Sequence, residues 1–325
     1  MAEELNFDPI PFIDGPHHQT IIGSVFNLSI EPKSVRKLIQ LSDGDKLALE
    51  ITTPDGWSKN DLTVMMVHGL CGSHQSPYLV RLVKRLEPLG IRVVRVNMRG
   101  AGSGRGLAKK HYHCGRSDDI FEALKVLKEE HPDSPFILAG FSLGGNISLK
   151  LAGELGNLAG RYLKGVIAVC PPVDLLSSVR LFGKSENEIY ENYFYKLMRE
   201  EIYYRHNLFK DLPKINLPKQ MKIYEFDQLY VAPNAGFSNV LDYYAKCSAV
   251  NIAEEITVPT KVLFAMDDPI VSASGLDQCV LHPNVKVYKT KKGGHMGYLS
   301  SPLSETGLYW LDTVVQDWIF KMSKP

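Results

Sequence analysis

Short continuous apolar runs alternate with helical periodicities along most of the chain. LTVMMV (62–67), IRVVRVNM (91–98), FILAGF (136–141), GVIAVC (165–170) and KVLFAM (261–266) are four to eight residues of nearly unbroken hydrophobicity. Runs of that length read as strands buried on both faces. NVKVYKT (284–290) reads as the last strand, and KLIQLSDGDKLALEI (37–51) as two strands around a turn. In that pair Leu47, Leu49 and Ile51 alternate as in a half-buried strand. Between the runs, Leu79, Leu82, Val83 and Leu86 share one helical face. SDDIFEALKVLKEE (117–130) turns Ile120, Phe121, Leu124 and Leu127 toward a core, with Ser117 as its N-cap. NISLKLAGEL (146–155) and LYWLDTVVQDWIFKM (308–322) complete the helices. Buried strands alternating with helices predict a mostly parallel sheet covered by helices on both faces.

One interval breaks the rhythm. From 177 to 258 no buried strand appears, and that length far exceeds an ordinary connection. The interval holds Tyr190, Tyr193, Phe194, Tyr203, Tyr204, Tyr243 and Tyr244. It reads as a helical cap (177–258) inserted into a single domain spanning 1–325. Some of the aromatics should pack the cap onto the core, and others should roof a pocket at the carboxyl edge of the sheet.

The chain has 325 residues, 44% hydrophobic and 22% charged, an ordinary globular balance. A net charge of +1 gives no electrostatic footprint for nucleic acid. The opening MAEELNFDPIPF lacks the basic start and apolar run of a signal peptide. No apolar stretch approaches the ~20 residues of a membrane span, which leaves only peripheral contact with a membrane open. Five cysteines without a CxxC pair read as free thiols of a cytoplasmic protein. The oligomeric state is not legible in these patterns.

The chemistry is concentrated where the strands end. AGFSLGGN (139–146) carries G-x-S-x-G, which acquires meaning only between a strand and a helix and with an acid and a histidine further on. Ser142 meets the first condition. Gly140 and Gly144 allow a sharp elbow, and the Leu143 N–H opens the following helix as a candidate oxyanion donor. A serine hydroxyl needs a base, and His295 in KKGGHMGYL follows the last strand. The acid is Asp268 or Asp267 in VLFAMDDPIV. Asp268 is preferred because it stands directly before Pro269. Ser, Asp, His is the chain order of a hydrolase triad. A second oxyanion donor falls on the Leu70 N–H in VHGLCGS.

With these residues in view, the chain resembles an α/β-hydrolase, in particular the YheT-like group (AB hydrolase family 4) of esterase-type proteins. The likeness runs through GPHHQT (15–20), VHGLCGS (67–73), VNMRGAG (96–102), HYHCGRSDD (111–119), GFSLGGN (140–146), YEFDQLYVAPNAGF (224–237), DYYAKCSAV (242–250), AMDDPIV (265–271) and GGHMGY (293–298). The resemblance implies an eight-stranded-type sheet, Ser142, Asp268 and His295 as charge relay, and carboxyl-ester hydrolysis without a cofactor. Substrates would be small-molecule or lipid esters. Two other readings are a lipase, phospholipase or acyltransferase working on long acyl chains, and an idle hydrolase fold serving as a binding protein. His18 departs from the pattern, where an apolar residue is expected, and no role is assigned to GPHHQT.

Other signals are weaker. His17-His18 and His111 to Cys114 lack a standard metal-ligand spacing, so no metal site is expected. Cys71 has no elbow and reads as a packed thiol. Asp118 and Asp119 read as favourable charges at a helix start. GAGSGRG (100–106) lacks the Lys-Ser/Thr of a phosphate loop and reads as a flexible loop near the site.

Overall fold

The computed structural model describes residues 2–25 and 30–324. The elements in chain order are β1 (Glu3–Glu4), α1 (Pro16–Val25), β2 (Val35–Gln40), β3 (Lys46–Thr52), β4 (Thr63–Val67), α2 (Pro77–Leu86), β5 (Arg92–Asn97), α3 (Ser117–Glu130), β6 (Phe136–Phe141), α4 (Leu143–Leu155) and β7 (Gly165–Val169). There follow α5 (Leu175–Phe182), α6 (Glu188–Leu208), α7 (Ile223–Phe226), a π-type turn (Asp227–Val231), α8 (Ala232–Asn234) and α9 (Val240–Cys247). β8 (Thr260–Ala265), β9 (Val285–Thr290) and α10 (Trp310–Ser323) close the chain. None of the described helices is long and apolar enough to cross a membrane.

One nine-stranded sheet runs in the order β1-β9-β8-β7-β6-β4-β5-β3-β2. β1 and β4 to β9 are parallel, while β3 runs against β5 and β2 against β3. Every residue of β4, β5, β6 and β7 is buried, as their mostly apolar runs require, and β5 takes Arg92, Arg95 and Asn97 into that burial. The two-residue period divides them between two layers. Met65, Val94, Leu138 and Val166 face α3 and α4, whereas Val64, Val93, Ile137 and Ile167 face α2 and α10.

Several expectations are refined. The ninth strand, β1, is a pair of exposed glutamates joined to β9 through backbone, so no hydrophobic pattern announces it. β3 is buried on both faces because it lies inside the sheet. Its Glu50 accepts from Ser34 Oγ and Arg36 Nε, each at 2.7 Å. Ser117 is the first residue of α3 and no cap; its hydroxyl donates to Glu154. Asp119 meets Arg99 through two bonds of 2.6 Å. Arg99 also holds Asp43 (2.8 Å) and Asp45 (2.5 Å), so partnering a buried guanidinium accounts for Asp119 better than the helix dipole does. The GAGSGRG loop is packed: Asn97 donates to Ser103, and Arg105 donates to Glu201 of α6.

The helices α5 to α9 stand between β7 and β8 and have a core of their own around Tyr195, Met198, Ile202, Phe226, Tyr243 and Tyr244. They meet loops that follow strands. Asn187 donates to Pro269 O (2.6 Å), the Cys114 N–H donates to Tyr243 Oη (3.1 Å), and Asn146 of α4 donates to Cys247 O and accepts from the Ala249 N–H.

Asp227 opens the π-type turn inside this helical layer. Burial pushes its carboxyl up to about 7, against the hydrogen bond it accepts from Tyr244 Oη at 2.7 Å. Between about pH 4 and 7 the unfolded chain releases this proton while the folded chain keeps it, so Asp227 lowers stability as pH rises through that window. Asp227→Asn removes this contribution. The difference in Tm between variant and parent should move in the variant's favour from pH 5 to pH 8, as measured by thermal melts in matched buffers. A difference independent of pH would show that Asp227 does not titrate as its surroundings demand.

Candidate active site

The loops that follow β4, β6, β8 and β9 converge at the carboxyl edge of the sheet, near the point where the strand order reverses between β6 and β4. Ser142 joins β6 directly to α4 with φ 52° and ψ −122°. That region is costly for a residue with a side chain. It is held by packing and hydrogen bonds. The Ser142 N–H donates to Val169 O (2.8 Å), and its carbonyl accepts from Gly145 and Asn146. A Cβ on Gly140 would collide with the Gly144 carbonyl, and one on Gly144 with the Val67 and His68 carbonyls. The helix can therefore start immediately after Ser142, three residues earlier than the pattern predicts, only because both positions lack side chains.

Ser142 Oγ lies 2.8 Å from His295 Nε2, and His295 Nδ1 lies 2.7 Å from Asp268 Oδ2. The other Asp268 oxygen accepts the N–H groups of Ile270 and Val271, each at 2.9 Å. The Asp268 side chain is almost wholly enclosed and the imidazole nearly so. Asp267, the alternative acid, points elsewhere. Its Oδ1 accepts the Gly294 N–H at 2.9 Å, and burial raises its carboxyl above the ordinary range.

The HG turn after β4 is fixed by a buried neutral histidine. Burial pushes His68 down to about 4. Its Nε2 accepts the Met98 N–H (3.2 Å), which leaves the proton on Nδ1 to be donated to Gly69 O (2.7 Å). Two tyrosine hydroxyls then occupy alternate N–H groups of the loop: Tyr78 accepts from Gly69 (3.0 Å) and Tyr112 from Cys71 (2.9 Å). The Leu70 N–H between them has no acceptor among the described residues. The Leu143 N–H, first in α4, has none within its own helix. Sequence reasoning found the HG dipeptide but missed Tyr78, Tyr112 and Asn146, whose links are to backbone groups in other elements, nine residues away for Tyr78 and 41 and 101 for Tyr112 and Asn146.

The remaining candidates have other surroundings. Burial pushes the Cys71 thiol up to about 12, away from a thiolate nucleophile. His17 Nδ1 lies 2.8 Å from Tyr190 Oη, and His113 accepts the Gly115 N–H. Cys170, Asp268 and His295 bring three possible donor atoms within 4.8 Å of one another. Burial raises the Cys170 thiol, and both imidazole nitrogens are already engaged, so this set suits proton transfer better than metal ligation. Of the aromatics in the 177–258 interval, Tyr243 and Tyr244 are buried with their hydroxyls in hydrogen bonds. Tyr203 accepts the Leu217 N–H, and Tyr204 lies under Arg105. Tyr193 is exposed. Phe194 is half-buried near Cys71, packed with Leu70 and Phe182 against both the sheet core and the helical layer.

Comparison with known proteins agrees with this architecture. Residues 63–302 match the family described as alpha/beta hydrolase fold. "Putative esterase YheT" of Escherichia coli (strain K12) is 27% identical over 98% of this chain and 94% of its own. "Phospholipase ABHD3" of Bos taurus is 25% identical over 88% of this chain and 70% of its own. Among solved structures, the Pyrococcus furiosus esterase Pf2001 superposes with a TM-score of 0.56 at 16% identity, covering 97% of this chain and 99% of that one. Since the match takes in well over half the residues, and the sheet, its crossovers and the elbow agree with it, the chain belongs to the alpha/beta hydrolase fold family.

Proposed function

We propose that the protein is a serine hydrolase that cleaves carboxylic esters through an acyl-enzyme. One observation carries the reading: Ser142 Oγ, the His295 ring and the Asp268 carboxylate form a continuous hydrogen-bonded line of 2.8 and 2.7 Å. Asp268 accepts the Nδ1 proton, so Nε2 is free to take the proton of Ser142. Oγ then attacks the ester carbonyl carbon, and the carbonyl oxygen becomes an oxyanion. The N–H groups of Leu70 and Leu143 are the donors for it. His295 passes its proton from Nε2 to the departing alcohol. A water molecule, deprotonated at the same nitrogen, attacks the acyl carbon; the bond from that carbon to Ser142 Oγ breaks, Oγ takes the proton back from Nε2, and the acid leaves. Two of the relatives bear the names of an esterase and a phospholipase, activities that hydrolyse ester bonds, and this supports the class. The strained Ser142 backbone argues against an idle binding fold, which has no use for a serine hydroxyl held at a backbone cost.

The same reading makes residues 177–258 a cap on a single domain, with Leu70, Phe182 and Phe194 as the apolar flank of an acyl site. That flank and the phospholipase among the relatives favour, as a second reading, longer acyl chains held by a lipid. Five free cysteines suit a reducing compartment such as the cytoplasm.

Ser142→Ala should abolish both ester hydrolysis and fluorophosphonate labelling, and His295→Ala should lower kcat by about 10⁴-fold or more. Labelling that survives in Ser142→Ala would refute the nucleophile assignment. The two adjacent acids separate cleanly. Asp268→Asn should cost about 10⁴-fold in kcat, whereas Asp267→Asn, which keeps an acceptor for the Gly294 N–H, should stay within about tenfold of the parent. The reverse order would exchange their roles.

Chain length tests the cap. With about 0.8 kcal/mol per buried methylene, kcat/KM for p-nitrophenyl esters should rise about fourfold per carbon until the site is full, then fall. Phe194→Ala should move that maximum to longer chains. A flat profile, unmoved by the substitution, would leave the cap without a part in selection.

A further inference from the structure

His295 occupies a loop whose backbone cannot hold itself. Gly293 and Gly294 have φ of 145° and 57°, and Met296 and Tyr298 have φ of 64° and 47°, values that side chains make costly. Such a loop persists only where its surroundings fix it, and here they do so through three of its N–H groups. Asp267 takes that of Gly294 (2.9 Å), Thr20 Oγ1 takes that of His295 itself (2.8 Å), and Gln19 Oε1 takes that of Leu299 (2.7 Å).

Two of these three partners lie on α1, in the GPHHQT segment. Gln19 is wholly buried, and its amide also donates to Ile13 O (2.7 Å) and Leu299 O (3.0 Å). The Thr20 hydroxyl donates to Pro16 O (2.7 Å), which orients its lone pairs toward His295. Helix and loop touch through backbone: a Cβ on Gly297 would strike the Gln19 carbonyl, and one on Gly23 would strike Gly297. This helix lies outside residues 63–302, the part that matches the family.

We propose that Thr20 is a positioning residue for His295. By holding the His295 N–H, it keeps the imidazole in line between Ser142 and Asp268. The inference rests on the reading of His295 as the base. Thr20→Val preserves the shape of the side chain and removes the acceptor, leaving that N–H unpaired and the loop free to relax. Proton transfer over 2.8 Å does not tolerate displacement of the ring, and about 1 Å of misplacement costs on the order of 10²-fold.

The experiment compares the parent, Thr20→Val, Thr20→Ser and Ser142→Ala on p-nitrophenyl butyrate and on a fluorophosphonate. Thr20→Val should lower kcat by about 10- to 100-fold, leave KM within about twofold, and slow labelling of Ser142 in proportion. Thr20→Ser, which keeps the hydroxyl, should recover most of both rates. Thermal melts establish that each variant is folded; should Thr20→Val fail to fold, Thr20→Ala removes the same acceptor with less crowding and is read in the same way. Parent-like rates in the folded variant lacking the hydroxyl, or a Thr20→Ser as impaired as Thr20→Val, would overturn the proposal. Full labelling of Ser142→Ala would instead overturn the reading beneath it, so the two failures are distinguishable.

Discussion

The backbone of Ser142 is the constraint to which the other parts of the site conform. At φ 52° and ψ −122° the chain reverses from β6 into α4 within one residue, and the hydroxyl is carried clear of the sheet. This conformation persists because α4 is buried along nearly its whole length and because Gly140 and Gly144 let strand and helix meet backbone to backbone. The strand order then brings β4 beside β6, so the HG turn arrives next to the elbow, while β8 and β9 deliver Asp268 and the His295 loop from the other side. The sheet thus supplies coarse placement, and side-chain hydrogen bonds to loop backbone supply the final ångström.

Those bonds share a chemical character. His68, Tyr78 and Tyr112 fix the HG turn, and Asp267, Thr20 and Gln19 fix the His295 loop. Asn146 and Asn187 tie the helical layer to the core. In each case a buried or half-buried polar side chain satisfies a backbone group that regular secondary structure leaves unpaired. Removing one leaves its partner unsatisfied in a dry setting, which costs more than the bond itself contributes.

What could be read in advance follows from the range of the forces. β4, β5, β6, β7 and β8 are legible within about a residue because short, mostly apolar runs have one stable place, the centre of a parallel sheet. Ser142 was legible because its two glycines and flanking elements lie in one short stretch. The candidate acid is narrowed to two adjacent residues, with Asp268 preferred for its place before Pro269; Asp267 and Asp268 share a turn and differ in which way each carboxylate points. The alternation in β3 implies a half-buried strand, whereas Glu50 faces a layer made habitable by Ser34 and Arg36. The contribution of Thr20 was invisible, because its contact spans 275 residues and leaves no periodicity in either segment.

That separation orders events in time. A ribosome adds about 5–20 residues per second, so Thr20 leaves the tunnel roughly 15–55 s before His295. Late in this interval, once Ala265 has emerged, the sheet from β2 to β8 has all its strands, and Ser142 can already occupy its elbow, yet α1 has nothing to grip. A nascent chain therefore presents the Ser142 hydroxyl without the His295 ring beside it, and the hydrogen-bonded line closes only when α1 and the His295 loop meet.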